Sequence, residues 1–225
     1  MTELTQRLAW VDEGSRVFLE RLEQLPDRAF GAESTLPGWT NAHLVAHVGY
    51  NARALSRLVH WARSGEEMPM YASPEARNEE IEDGAKLSAT ELRTLAVESD
   101  ARLRRELAEL TAWDAKVRTA QGRTVPATEI PWMRVRELWI HAVDLGTGFD
   151  FTDFPADLVD ALITDIAATR SSRDQGPALV LRPADRGREW RIGENGRVVG
   201  GTAAELCRWL AGRGKLDGPD LGRWL

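Results

Sequence analysis

Cysteine is almost absent from this sequence: Cys207 is the only one in 225 residues. An internal disulfide is thereby excluded, and so is any zinc ribbon built from several thiolates. No uncharged run approaches the about 18 apolar residues that a membrane-spanning helix needs. The opening MTELTQRLAW carries the acidic Glu3 and no apolar core of the secretory kind. Positive charge is in short supply as well. Against 35 Asp and Glu there are 29 Lys and Arg, a formal net charge of −6, so a broad basic face for nucleic acid is not expected. An anionic small molecule stays admissible, provided that a few placed arginines supply the attraction locally. These absences point to a cytoplasmic protein with neither nucleic acid nor membrane as partner. What is present, 43% hydrophobic residues over a chain of this length, suffices to bury a core without disulfides or structural metals.

The first 150 residues read as helical. Leu4, Leu8, Val11, Phe18, Leu22 and Leu25 recur at helical steps, and Pro26 closes that run. A second helix follows the Pro37-Gly38 turn, with Thr40 or Asn41 as its cap and Gly65 as its stop. Residues 66–87 form a long connection with one short helix, and a connection of that length in a compact domain is usually functional. Ser88 with Glu91 spells a capping box, opening a third long helix through Leu92, Leu95, Leu103 and Leu107. A turn-rich link, TAQGRTVPATEIP, leads to a fourth helix over roughly Pro131–Leu145. Beyond Gly148 the composition changes. One helix begins after Pro155, PALVLRP and EWRIG have strand character, and Asn195-Gly196 suggests that the chain continues as a hairpin. Thr202 with Glu205 opens a last helix. The expected fold is α+β and mainly α: a four-helix bundle over 1–150 and a small α/β domain over 151–225.

Histidine is scarce too, with His43, His47, His60 and His141 making up the set. His43 and His47 lie four apart and share a helix face, and Glu137 and His141 repeat that spacing on the fourth helix. A carboxylate and an imidazole one turn apart, with a second imidazole from a facing helix, make a three-ligand metal site in a bundle core. His43 stands in the first turn, where the helix dipole disfavours cations; His47, one turn deeper, is the better ligand. Nitrogen and oxygen donors without thiolate suit zinc or another divalent ion, and three protein ligands leave a coordination position open, the mark of a catalytic site. The plainer alternative is a pair of solvated or core histidines. His60 reads as structural, Cys207 as a packing residue within its helix, Trp39, Trp132 and Trp139 as helix packing, and Arg134 and Arg136 as surface arginines.

The segments PGWTNAHLVAHVGYNA, HWARSGEEMPMYASPEARNEEIEDGA and TAQGRTVPATEIPWMRVRELWIHAVDLG closely resemble the mycothiol-dependent maleylpyruvate isomerases. The likeness covers most of residues 36–148 in register and continues more loosely through AELCRWLAGRG to the end. It implies a DinB-like bundle with a small C-terminal α/β domain, zinc held by His47, Glu137 and His141, and mycothiol as a cofactor whose contact residues the likeness leaves unassigned. It also implies arginines important for activity at Arg77, in SPEARNEE, and at Arg213, in LAGRG, the second on the looser part of the match.

The implied reaction is cis–trans isomerisation of maleylpyruvate to fumarylpyruvate in gentisate breakdown. Rotation about even a partial double bond meets a barrier of about 18–20 kcal/mol, and a full C=C bond is stiffer. A thiolate that adds to the conjugated alkene, lets the resulting single bond turn and then leaves avoids that barrier. Arg77 offers a fork for a substrate carboxylate, against the alternative of a solvated arginine paired with Glu75, Glu79 or Glu80. Arg213 either reaches for substrate or thiol or complements a helix end. The expected partners are a small dicarboxylate and a low-molecular-weight thiol, and the expected state is a monomer. Two competing functions share parts of this pattern: a mycothiol S-transferase, and a non-catalytic zinc-binding regulator, which would close its metal shell with cysteine.

Overall fold

The computed structural model describes residues 2–172, 176–222 and 224, and it divides into two compact units, 1–149 and 150–225. In the first unit the elements are α1 (Glu3–Gln24), α2 (Asn41–Ser64), α3 (Pro74–Gly84), α4 (Ala89–Glu109), the strands β1 (Lys116–Arg118) and β2 (Thr124–Pro126), and α5 (Glu129–Asp144). Helices α1, α2, α4 and α5 form the bundle, with α2 packed on α4, α5 and α3, and α1 packed on α5 and α4.

Local signals set the helix ends. Thr2, Thr40, Ser73 and Ser88 each accept a backbone N–H at an N-terminus, and the Ser88–Glu91 capping box is formed. Gly65 stops α2 in the left-handed region, φ 76°. Packing then fixes the approach of the helices. A Cβ on Gly49 would lie 2.7 Å from Leu95 Cγ, so the missing side chain is what lets α2 and α4 meet two residues beyond His47. Gly14 does the same for α1, where Trp139 of α5 crosses and donates its indole N–H to Trp10 O at 2.9 Å.

Helix α5 is buried on nearly every side, Arg134 included. The expectation of a surface arginine there is wrong. Arg134 is 1% exposed and donates to Val48 O (2.9 Å), Asn51 Oδ1 (3.1 Å) and Asp100 Oδ1 (2.9 Å); Ser15 Oγ donates to the same Asp100 oxygen at 3.0 Å. A buried guanidinium needs such partners, because an unpaired charge there costs several kcal/mol. This one binds α1, α2, α4 and α5 in a single register. Across the start of the turn-rich link, β1 just before it and β2 within it form a short antiparallel hairpin with Val117 opposite Val125.

The second unit contains α6 (Ala156–Ser172), β3 (Leu179–Pro183), β4 (Trp190–Ile192), β5 (Arg197–Gly201) and α7 (Ala203–Leu210). Its sheet order is β4-β3-β5, with β4 antiparallel and β5 parallel to β3. The Asn195-Gly196 turn therefore does not return the chain onto β4 as a hairpin. It carries the chain past β3 to the opposite edge, with Asn195 at φ 54° and Arg197 N–H bonded to Ala178 O at 3.1 Å. Helix α6 packs on β4 and on α7, and α7 on β3 and β5. Cys207 is buried in α7, and burial pushes its thiol well above the usual range. That agrees with a packing role.

Candidate metal centre

The α1–α2 connection and the first turns of α2 decide which histidine is available. His43 is the third residue of α2 and is used in its cap: Thr40 N–H donates to His43 Nδ1 at 3.2 Å, and the Thr40 hydroxyl lies 2.7 Å from the same nitrogen. Its Nε2 faces Glu82 at 3.4 Å. One turn on, His47 is 6% exposed and points into the bundle, with Trp39 packed against its ring at a centroid distance of 5.3 Å. His60 is exposed and lies outside this cluster.

Glu137 and His141 come up one turn apart on α5 and meet His47. Nε2 of His47 and Nε2 of His141 approach the same carboxylate oxygen, Glu137 Oε2, at 2.9 and 3.1 Å, and the two rings stand edge to face with centroids 5.1 Å apart. One ligand atom from each of the three residues lies within 4.8 Å of the others. Two imidazole nitrogens and a carboxylate converging on one point form the donor set of an open zinc-type site. The outer nitrogen of His141 supports the fit: its Nδ1–H donates to Asp144 Oδ2 at 2.9 Å, which turns Nε2 inward.

The electrostatics follow from this geometry. Burial raises the Glu137 carboxyl, but His47 and His141 outweigh it, and the group is held well below the usual carboxylate range. For His47 burial dominates over the nearby Glu137, and its pKa is lowered. His141 is buried as well, yet hydrogen bonds from its ring to Asp144 and Glu137 win, and its pKa is raised. A divalent ion held here would take the place of the hydrogen bonds between Glu137 and the two imidazoles, since metal binding to imidazole displaces its proton.

Arg77, on α3, is brought to the rim of the same cluster. Its NH2 group is 3.4 Å from His47 Nδ1, and among the described residues it makes no ion pair; Glu80 faces Arg57 instead, at 3.9 Å. Sequence reasoning missed Tyr71. Arg57 Nε donates to Met70 O at 2.7 Å and so ties the 66–73 segment to α2, leaving the Tyr71 ring between the Arg57 and Arg77 guanidinium carbons at 5.8 and 5.9 Å. Burial, reinforced by the Glu137 charge, pushes the Tyr71 phenol up to about 12, so it stays a hydrogen-bond donor. The only signal in the sequence was its place in a long connection. Arg213 lies in the second unit just after α7, where its guanidinium donates to Ala211 O at 2.7 Å.

A family model described as the mycothiol maleylpyruvate isomerase N-terminal domain matches residues 11–146, and one for the corresponding C-terminal domain matches residues 153–223. The chain belongs to the mycothiol-dependent maleylpyruvate isomerase family. A crystal structure of the mycothiol-dependent maleylpyruvate isomerase superimposes with a TM-score of 0.94 at 42% identity, covering 99% of this chain and 98% of that one. A histidine-to-alanine mutant of the isomerase gives the same values. No curated protein matches. The His47–Glu137–His141 cluster lies within the part matched by the N-terminal model.

Proposed function

We propose that this protein isomerises maleylpyruvate to fumarylpyruvate with mycothiol as its thiol cofactor, at a divalent-metal centre formed by His47, Glu137 and His141. The observation that carries the reading is the convergence of both imidazoles on one Glu137 oxygen, inside a family member alike to the isomerase over nearly its full length. Zinc is the ion the donor set suits, although other divalent ions share its ligand preferences.

When bound, the metal and the thiol together supply a sulfur anion at neutral pH, able to add to a conjugated alkene and to leave again. The protein's own residues do the rest. Glu137 and the two imidazoles present a donor set with a single negative charge. Arg77 stands beside that set with a planar fork, suited to a carboxylate of the substrate and to charge that develops as sulfur adds. Tyr71 keeps its phenolic proton and offers a neutral donor near the same rim, and Trp39 shields one face of His47 from water. Arg213 is proposed to matter for activity on the strength of the family likeness alone; within its own unit its guanidinium donates to Ala211 O at the end of α7. The same reading makes the protein a cytoplasmic monomer acting on a small dicarboxylate. Among the described residues no helix is long and apolar enough to cross a membrane.

The test is a thiol-dependence assay on purified, zinc-loaded protein. Maleylpyruvate is converted when mycothiol is added and not otherwise; turnover in the absence of any thiol refutes the chemistry. A mycothiol S-transferase would share the metal and the thiol but would show no dependence on Arg77 for dicarboxylate substrates. A zinc regulator closed by cysteine finds no support, since the one cysteine is buried in α7 with its thiol pushed up by burial.

A further inference from the structure

Asp144 is the last residue of α5 and is 1% exposed, a costly place for a carboxylate unless both oxygens are engaged. Both are. Oδ2 accepts from His141 Nδ1 at 2.9 Å, and Oδ1 accepts from the Thr35 hydroxyl at 2.9 Å; Thr35 Oγ1 also lies 3.2 Å from the Asp144 carbonyl oxygen. Thr35 belongs to the α1–α2 connection, the same short segment that brings Trp39 onto the ring of His47. The connection therefore reaches both imidazoles, one through the Trp39 indole and the other through the Asp144 carboxylate.

We infer that Asp144, clamped by Thr35, is a positioning residue for the metal centre: it holds His141 in the Nδ1–H form with Nε2 turned toward the ion. It is not a fourth ligand, because it meets the imidazole on the edge opposite to Nε2 and stands apart from the three-residue cluster. The negative charge on Asp144 makes the ring a stronger donor, and the Thr35 hydroxyl stops the carboxylate from rotating away. The inference rests on the metal reading above, and its test separates the two.

The experiment is zinc affinity measured by competition with a chromogenic chelator, beside the visible spectrum of the cobalt-substituted protein and thermal melting of the metal-free protein. For Asp144→Asn the dissociation constant for zinc rises about 10–100-fold, the usual effect of losing such a partner. The cobalt bands keep the intensity of the parent's coordination number. An affinity within twofold of the parent overturns the inference, whatever happens to the melting temperature, since a purely structural role moves only the latter. A cobalt spectrum shifted to a different coordination number overturns it too, because Asp144 would then be a ligand. Should Asp144→Asn fail to fold, Thr35→Val, at an exposed position, takes its place: a several-fold loss of zinc affinity supports the clamp, and an unchanged value overturns it. A parent protein that binds no zinc overturns both this inference and the metal reading; a parent that binds it, with indifferent variants, overturns this inference alone.

Discussion

Arg134→Met is the perturbation that best probes how the bundle holds its site together. Methionine keeps an apolar stem of similar reach and deletes the guanidinium, so the hydrogen bonds to Val48 O, Asn51 Oδ1 and Asp100 Oδ1 go with it. Asp100 is left as a nearly buried carboxylate with the Ser15 hydroxyl against it. Breaking a buried ion pair from one side costs about 3–5 kcal/mol, mostly the desolvation of the survivor. For a unit of this size each kcal/mol moves the melting temperature by about 2–4 °C, which gives a fall of roughly 6–20 °C. The double variant Arg134→Met with Asp100→Leu removes both charges and should recover part of that loss, a coupling readable in a double-mutant cycle. Guanidinium chloride unfolding followed by tryptophan fluorescence reports on it, because six of the nine tryptophans lie in the first unit. The metal centre should suffer in parallel. Arg134 holds the carbonyl next to His47 and stands one turn before Glu137, so zinc affinity should drop more than in Leu22→Ala, a cavity variant in α1 of comparable cost, about 2–5 kcal/mol. A single variant within about 1 kcal/mol of the parent, or a double variant less stable than the single one, refutes this account of the buried pair.

Four further outcomes are expected. Replacing His47 or His141 by alanine should abolish both zinc content, measured by elemental analysis, and isomerisation, and full activity in either variant removes that residue from the site. Arg77→Lys should keep its zinc while raising KM or cutting kcat, because the planar fork is lost; kinetics equal to the parent's would make Arg77 a surface residue. Gly49→Val should cost about 1–3 kcal/mol by driving a side chain into Leu95, seen as a lower denaturation midpoint. Cys207, buried with its thiol pushed up, should stay unlabelled by a chromogenic disulfide reagent at pH 8 until the protein is unfolded; rapid labelling of the native protein would contradict the packing in α7.

Helices were legible where periodicity and caps agreed. The Ser88–Glu91 and Thr202–Glu205 boxes and the Gly65 stop all lie where the sequence puts them. What escaped was the connectivity of short strands. Three residues each, as in β1 and β2, are too few to show alternation, and β2 lies inside a turn-rich stretch. Asn195-Gly196 does make its turn, with a left-handed asparagine, but whether such a turn closes a hairpin depends on which edge of β3 is open. Local chemistry says nothing about that edge, and here the next strand takes the far side in parallel.

The site divides along a similar line. The structure brings His47, Glu137 and His141 together, a juxtaposition readable in the sequence because imidazole is rare in this chain and the four-residue spacings leave few ways to combine two helices. Choosing His47 over His43 rested on depth along α2, and the structure adds the stronger reason that His43 is spent on the cap of Thr40. The supporting groups were not readable. Aspartate, threonine and arginine are common surface residues, and Asp144, Thr35 and Arg134 differ from dozens of others only in what the fold wraps around them. Arg134 was misjudged for a specific reason: a surface default presumes a solvated helix face, and α5 has almost none. In a bundle core the residue types able to hold a metal stand out in the sequence, whereas the groups that would aim them are defined by burial alone. A variant scan restricted to conspicuous residue types would therefore test the proposed ligands and pass over the residues packed behind them.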